Sequence, residues 1–574
     1  MNQKIEYTYD DTGRLTETRY YEASDYATPV KTVAFSYDIA GNLTGYDDGE
    51  TSAVYTYDAN SRKLTETIEY GAFTKTYGYT YYQNSLKQTF TDPAGTVYSY
   101  TYDANNQLSS VQVPGAGYIT YTGYTWNRPS AMALPGGSTK EFTYDPLMRL
   151  SGISVKDPAA NPVMDYSYTY DRMDNITDKA TGHGNYTYGY DDLYRLTTVD
   201  NPNLTDEAYA YDNVGNRLTS AETTDAWGYT ANNELTGYDD VIYEYDVNGN
   251  MVSKTSGSVV TNYIYNIENR LVRVEDGSSN VIAQYYYDPF GRRLWKEVSG
   301  VRTYFSYADE GLVAEFDAIG NQIKSYGYRP GSTWTTAPLF MEQGSQYYFY
   351  HNDHLGTPQQ MTSVSGAVVW AAQYGAFGEA QVDAGSSVVN NLRFPGQYYD
   401  DESGMHYNYF RYYDSFSGRY IVSDPIGLAG GVNFFAYTSN DPVNALDPIG
   451  LWTPRNHNLI TKDAAKKECP RLLKGCPGDG ESLPELTALA DFIEGTQEPE
   501  NAYQHSMSDG RSEQSEADAR KQRDQCVDDA GSAGGNTHYN FKNHNCCHWA
   551  RETISGCGLQ NPLPNVNWPF NPGP

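Results

Sequence analysis

Short stretches in which tyrosine alternates with another residue recur along the chain, among them Tyr7-Thr8-Tyr9, Tyr55-Thr56-Tyr57, Tyr100-Thr101-Tyr102, Tyr168-Thr169-Tyr170 and Tyr243-Glu244-Tyr245. A period of two puts both rings on one face of a strand. Each stretch leads into Asp and a cluster of turn formers, as in YTYDDTGRLT from Tyr7, FSYDIAGNLT from Phe35 and YGYDDLYRLT from Tyr188. Asp and Asn bond their own backbone, and Gly tolerates positive φ. The following Leu-Thr opens a second short strand. One unit is therefore one hairpin. Marked by the residue after the repeat tyrosine, and with degenerate copies admitted, the units sit at Asp10, Asp38, Asp58, Tyr82, Asp103, Thr125, Asp145, Asp171, Asp191, Asp212, Thr230, Asp246, Asn266, Asp288 and Asp309, with intervals clustered near 21 residues. A lone hairpin cannot bury its face, so the units must join into one continuous, mainly β structure.

Composition divides the chain. It has 57 Tyr against 18 Phe and 8 Trp, and 55 of the tyrosines precede residue 452. All six cysteines (Cys469, Cys476, Cys526, Cys546, Cys547 and Cys557) and five of nine histidines follow Leu451. That predicts two modules with different tasks. A net charge of -32 argues against a surface that coats nucleic acid, so no nucleic-acid partner is expected. No apolar run approaches the length of a membrane-spanning helix, and MNQKIEYTYDD lacks the basic-then-apolar start of a secretory signal. Tyrosine suits a wall that packs on one side and meets water on the other.

The repeats resemble the YD-repeat, or Rhs-repeat, family over roughly residues 5 to 451. Residues 341–451 are similar to the Rhs-associated core: YHNDHLGTPQQMT from Tyr350, YGAFGE from Tyr374, FPGQYYDDESGMHYNYFRYYDSFSGRYIVSDPIGL from Phe394, and a closing DPIGL from Asp447. The resemblance implies a hairpin spiral forming a hollow cocoon: repeats over 1–340, the core over 341–451, and a variable C-terminal toxin domain over 452–574, small and α-rich or α+β. The competing class is an adhesive or carbohydrate-binding repeat protein with no cargo.

DPIGL occurs twice, from Asp424 and from Asp447. Turn statistics alone read both as tight turns. The resemblance, which extends to toxin-complex C subunits, implies self-cleavage just after the second copy, between Leu451 and Trp452, by Arg411, Asp424 and Asp447. Two neighbouring carboxyls divide into one that activates water and one, protonated, that polarises the carbonyl; arginine orients or stabilises charge. The nearby Arg419 is expected to be a structural ion-pair partner.

In the tail, HYNFKNHNCCHWARETISGCGL (His538 to Leu559) is similar to the nucleophile segment of permuted papain-like enzymes. That implies Cys546 as nucleophile, with Cys547 second, at a helix N-terminus that lowers the thiol pKa. His505 is the first choice of base, then His457 or His538. No cofactor is needed on this reading. The alternative is a zinc-dependent phospholipase-C-like hydrolase with His457, Asp491 and His505 as ligands and His544 or His548 as candidates for a further one. The other reading of the six cysteines is as disulfide partners in an oxidising compartment. The expected partners are a cognate immunity protein and a delivery apparatus, or a second chain that supplies further shell wall, since the sequence opens directly in a repeat. The expected route is synthesis in the cytoplasm and secretion or delivery into a target cell without a signal peptide.

Overall fold

The chain divides into two units, Met1–Pro454 and Arg455–Pro574. A computed structural model describes residues 4–22 and 25–451, all within the first. The regular elements among the described residues are forty strands and three short 3-10 turns. They form a 20-stranded sheet, a 16-stranded sheet and a four-stranded sheet, in which each strand pairs antiparallel with the next in sequence. The expected hairpins are present: Lys4–Tyr9 with Leu15–Tyr21, Ser52–Tyr57 with Lys63–Glu69, Val97–Tyr102 with Leu108–Val113.

The turn chemistry explains the repeat consensus. Asp58 Oδ1 accepts the N–H groups of Asn60 (2.8 Å) and Arg62 (3.0 Å), and its Oδ2 accepts from Arg62 Nε (2.7 Å). Arg62 Nη1 then donates to the carbonyl of Tyr82 in the next turn (2.9 Å). Asp145 with Arg149 and Asp191 with Arg195 repeat the arrangement, and Asn42, Asn175, Asn216 and Asn250 replace the arginine elsewhere. The same Asp-headed turn also closes the opposite edge of the strip, at Asp92, Asp157, Asp276 and Asp317, which the repeat pattern did not single out.

Tyrosine has a more specific role than facing water. The hydroxyl of the tyrosine before the turn donates to a backbone carbonyl at the start of the previous unit's second strand. Nine such rungs run from Tyr81 to Lys63 through Tyr102, Tyr124, Tyr144, Tyr170, Tyr190, Tyr229 and Tyr265 to Tyr287 on Leu271, at 2.6–3.0 Å. Phenylalanine would pack equally well and leave these carbonyls unpaired. Burial keeps the rung phenols neutral; that of Tyr170 is pushed up to about 12. The opposite face of the first sheet is polar and wet, with hydroxyl pairs such as Thr56 with Thr65 and Thr80 with Thr89.

The strip winds onto itself. Contacts between the first and second sheets join Lys31 to Glu268 and Tyr70 to the Phe305 carbonyl, 237 and 235 residues apart. They then join Lys87 to Glu310 (223 apart), Tyr166 to Gln359 (193) and Glu207 to the Ala376 amide (169). The falling separation means that the spiral tightens. Tyr304 packs on Tyr70 and Phe73 of the first sheet, while its neighbour Phe305, on the other face of the same strand, packs edge-on against Tyr398 of the four-stranded sheet. The second sheet is thus a middle layer, and all six residues of Gly311–Phe316 are buried. Asp309 departs from the repeat. Its turn has only two residues, and its carboxylate meets Lys63 (3.1 Å) and Lys87 (3.0 Å) of the first sheet. Burial acts to raise its pKa, but the two lysines outweigh that and hold it well below the carboxylate range. The proposed α-rich or α+β tail lies outside the described residues.

Candidate functional site

The four-stranded sheet, Tyr398–Asp400, Met405–Asn408, Arg411–Asp414 and Arg419–Tyr420, carries the first of the expected cleavage residues. It is anchored to the second sheet by a fully buried ion pair. Arg293 grips Asp400 with both terminal nitrogens, and Lys296 reaches the same carboxylate at 3.0 Å. A tight hairpin pairs Asn408 with Arg411 and points both side chains at the segment around Asp447.

Arg411, Asp424 and Asp447, spread over 36 residues of sequence, converge in the interior, each almost fully buried. Arg411 Nη2 lies 2.9 Å from Asp424 Oδ2 and 3.2 Å from Asp447 Oδ2. Its Nε donates to the Gly450 carbonyl (2.6 Å) and its Nη1 to that of Phe434 (3.1 Å). Both DPIGL segments are tight turns, as their composition requires. Gly427 N–H donates to the Asp424 carbonyl (2.9 Å), and Leu451 N–H donates to Asp447 Oδ1 (3.0 Å). The second contact is the same side-chain hook, four residues on, that closes the repeat turns. Gly450 has φ +67°, and a Cβ there would fall 2.5 Å from the Asn408 carbonyl. Gly396 leaves room for the Pro448 carbonyl, which a Cβ would meet at 1.8 Å. The chain up to Leu451 is therefore held from both sides. Trp452 lies outside the described residues, as do Cys546, Cys547, His505, His457, His538, Asp491, His544 and His548.

Two further residues complete the site. The Tyr420 hydroxyl donates to Asp447 Oδ2 (2.6 Å), and the Arg411 guanidinium stacks on the Tyr420 ring, 3.5 Å from its centre. Burial, reinforced by Asp447, pushes the Tyr420 phenol far up, so it stays a donor. Asn408 Nδ2 donates to the Tyr420 oxygen (2.9 Å) and to the Asp447 carbonyl (2.8 Å). Sequence reasoning passed over both because the segment is crowded with Tyr and Asn; the hint was that Asn408 precedes Arg411 by a hairpin's span. Arg419 takes a different part from the one expected. It donates to Asn216 Oδ1 (3.1 Å) and the Asn233 carbonyl and stacks on Tyr229 and Phe435, so its contacts are polar and aromatic rather than ionic. A small cavity of about 10 Å³, room for about one water, opens beside Arg411 between Arg270, Tyr287, Phe410 and Tyr412. Among the described residues no cluster of His, Cys, Asp and Glu has the arrangement of a metal site, and no helix is long and apolar enough to cross a membrane.

The teneurin YD-shell family matches over residues 1–190 and 124–443, most of the chain and ending before the tail. Among curated proteins, the chain is similar to the double-stranded DNA deaminase toxin A of Burkholderia cenocepacia, 32% identical over 353 residues that cover 55% of this chain and 25% of that protein. It is also similar to the tRNA3(Ser)-specific nuclease WapA of Bacillus spizizenii, 30% identical over 377 residues, 55% of this chain and 16% of that one. The chain thus spans a quarter or less of these relatives' length. Among solved structures, TcdB2-TccC3 without its hypervariable C-terminal region matches with a TM-score of 0.67 at 18% identity, over 78% of this chain and 26% of that one, which shows the shared fold. Hairpin repeats, tightening spiral and matching family model together make the chain a member of the teneurin YD-shell family, an Rhs/YD-repeat protein.

Proposed function

We propose that the chain is a self-processing toxin: the shell hydrolyses its own Leu451–Trp452 bond and releases residues 452–574 as the toxin. The observation that carries this reading is the buried cluster in which one guanidinium bridges Asp424 and Asp447 while holding the Gly450 carbonyl, with the Leu451 amide fixed on Asp447. In the reaction one carboxylate takes a proton from water as its oxygen adds to the Leu451 carbonyl carbon. The other carboxyl, protonated, polarises that carbonyl. Arg411 balances the charge of the oxyanion, and collapse breaks the C–N bond with a proton passing to the Trp452 amine. Asp447, whose carboxylate accepts from the Leu451 N–H, the Tyr420 hydroxyl and Arg411, suits the ionised role that takes the proton from water; Asp424 suits the protonated one. The test is the intact mass of the purified chain. Two associated pieces, the second starting at Trp452, are expected from the wild type, and one 64.2 kDa chain from Asp424→Asn or Asp447→Asn. An uncut wild type rejects the reading.

For the released piece we keep Cys546 as nucleophile with His505 as base, the zinc set His457, Asp491 and His505 being the alternative. The names of the relatives, a DNA deaminase and a tRNA nuclease, favour a second reading in which the tail acts on nucleic acid. Toxicity abolished by Cys546→Ala supports the first; toxicity that survives it, with tRNA or DNA altered, supports the second. The proposed partners are a cognate immunity protein and a delivery apparatus, in keeping with a Pseudomonas aeruginosa relative named as the toxin protein Tse5, 30% identical over 249 residues, 37% of this chain and 19% of that one.

A further inference from the structure

The two aspartates sit on separate straps, and each strap is keyed to a different part of the wound strip. The strap before Asp424 lies on the turn at 246–250. Met251 N–H donates to the Ile421 carbonyl (2.9 Å), and Ser423 N–H donates to that of Gly249 (3.2 Å). The strap between Asp424 and Asp447 crosses to the first sheet, where its asparagines make the contacts. Asn433 Nδ2 donates to Asn216 Oδ1 (2.9 Å) and Asn440 Nδ2 to the Gly215 carbonyl (2.9 Å), both in one repeat turn. Asn444, three residues before Asp447, makes the most informative contact. Its Oδ1 accepts the Ile176 N–H (2.8 Å) and its Nδ2 donates to the Tyr190 hydroxyl (2.9 Å). That hydroxyl in turn donates to the Ile176 carbonyl (2.8 Å). Asn444 therefore binds both halves of one tyrosine rung, a structure that exists only once two successive hairpins are paired in register, 254 residues earlier in the chain.

Resting on the self-cleavage reading, we propose that Asn444 is a positioning residue that makes cleavage conditional on a correctly wound shell. Asp447 reaches Arg411 and Asp424 only when the strap is latched to the Tyr190–Ile176 rung. A chain whose early hairpins are unpaired or out of register offers no such rung, so it keeps its cargo attached.

The test follows cleavage in time as the denatured full-length chain refolds, read by intact mass. Asn444→Ala is expected to slow cleavage at least tenfold. Tyr190→Phe, which leaves the strap sequence untouched, is expected to slow it three- to tenfold. Tyr144→Phe removes a rung of identical chemistry, onto the Pro129 carbonyl, that no strap touches, and it should cleave at the wild-type rate. Equal slowing in Tyr144→Phe and Tyr190→Phe overturns the latch, because general destabilisation then accounts for both. Wild-type rates in Asn444→Ala and Tyr190→Phe also overturn it. A wild type that never cleaves is a distinct result, which rejects the self-cleavage reading and with it the latch.

Discussion

The tyrosine rungs allow the repeat's composition to be tested through energetics. Tyr102→Phe keeps the ring and its packing and deletes one hydroxyl, whose only hydrogen bond in the rung is to the Lys87 carbonyl at 3.0 Å. A neutral hydrogen bond of this kind contributes about 1 kcal/mol net, and stranding a partly buried carbonyl adds to the cost, so a loss of about 1–2 kcal/mol is expected. Over nine rungs the sum is on the order of 10 kcal/mol, comparable with the whole net stability of a typical domain. The rungs are therefore what a Phe-rich version of the same strip would lack. The assay is urea unfolding of the Asp424→Asn chain with and without Tyr102→Phe. The midpoint should fall at unchanged slope, because the same surface is exposed. Tyr118→Phe is the control: that ring is 55% exposed and makes no rung, so its midpoint should stay within about 0.5 kcal/mol of the parent. A Tyr102→Phe chain as stable as the control variant would falsify the argument that the hydroxyls select tyrosine.

Two other outcomes follow from buried charge. Asp400→Asn leaves Arg293 fully buried without its counter-ion and should cost about 3–5 kcal/mol in the same urea assay, whereas Arg293→Met with Asp400→Leu, which removes both charges, should recover most of it. Burial pushes the Asp441 carboxyl up to about 7, against the pull of the Asn444 amide. Because its folded pKa lies above the unfolded value, the group costs nothing below about pH 4. Its penalty grows as pH rises and levels off above about 7, at up to about 4 kcal/mol. Asp441→Asn should thus raise the urea midpoint at pH 8 and leave it unchanged at pH 4; a gain at pH 4 instead would refute the sign.

The hairpin and its turn were legible in the sequence because both are local. Alternation sets the face, and Asp with an Arg or Asn four residues on closes the loop through its own backbone, as at Asp58 and Arg62. The paired DPIGL segments were legible as turns for the same reason, and Arg411, Asp424 and Asp447 were marked as a group by family resemblance before geometry brought them together. Other features depend on which strands the spiral stacks, and that is fixed by the circumference of the winding. Asp309 stands one residue further from its tyrosine, Tyr307, than in the other repeats, and it serves Lys63 and Lys87 because the second sheet lays it across the first. Asn408 and Tyr420 became part of the site only when the small sheet docked through Arg293 and Asp400. Asn444 meets Tyr190 because a strip of pairwise antiparallel hairpins, each specified within about twenty residues, closes on itself over some two hundred, and no local pattern encodes where that return falls.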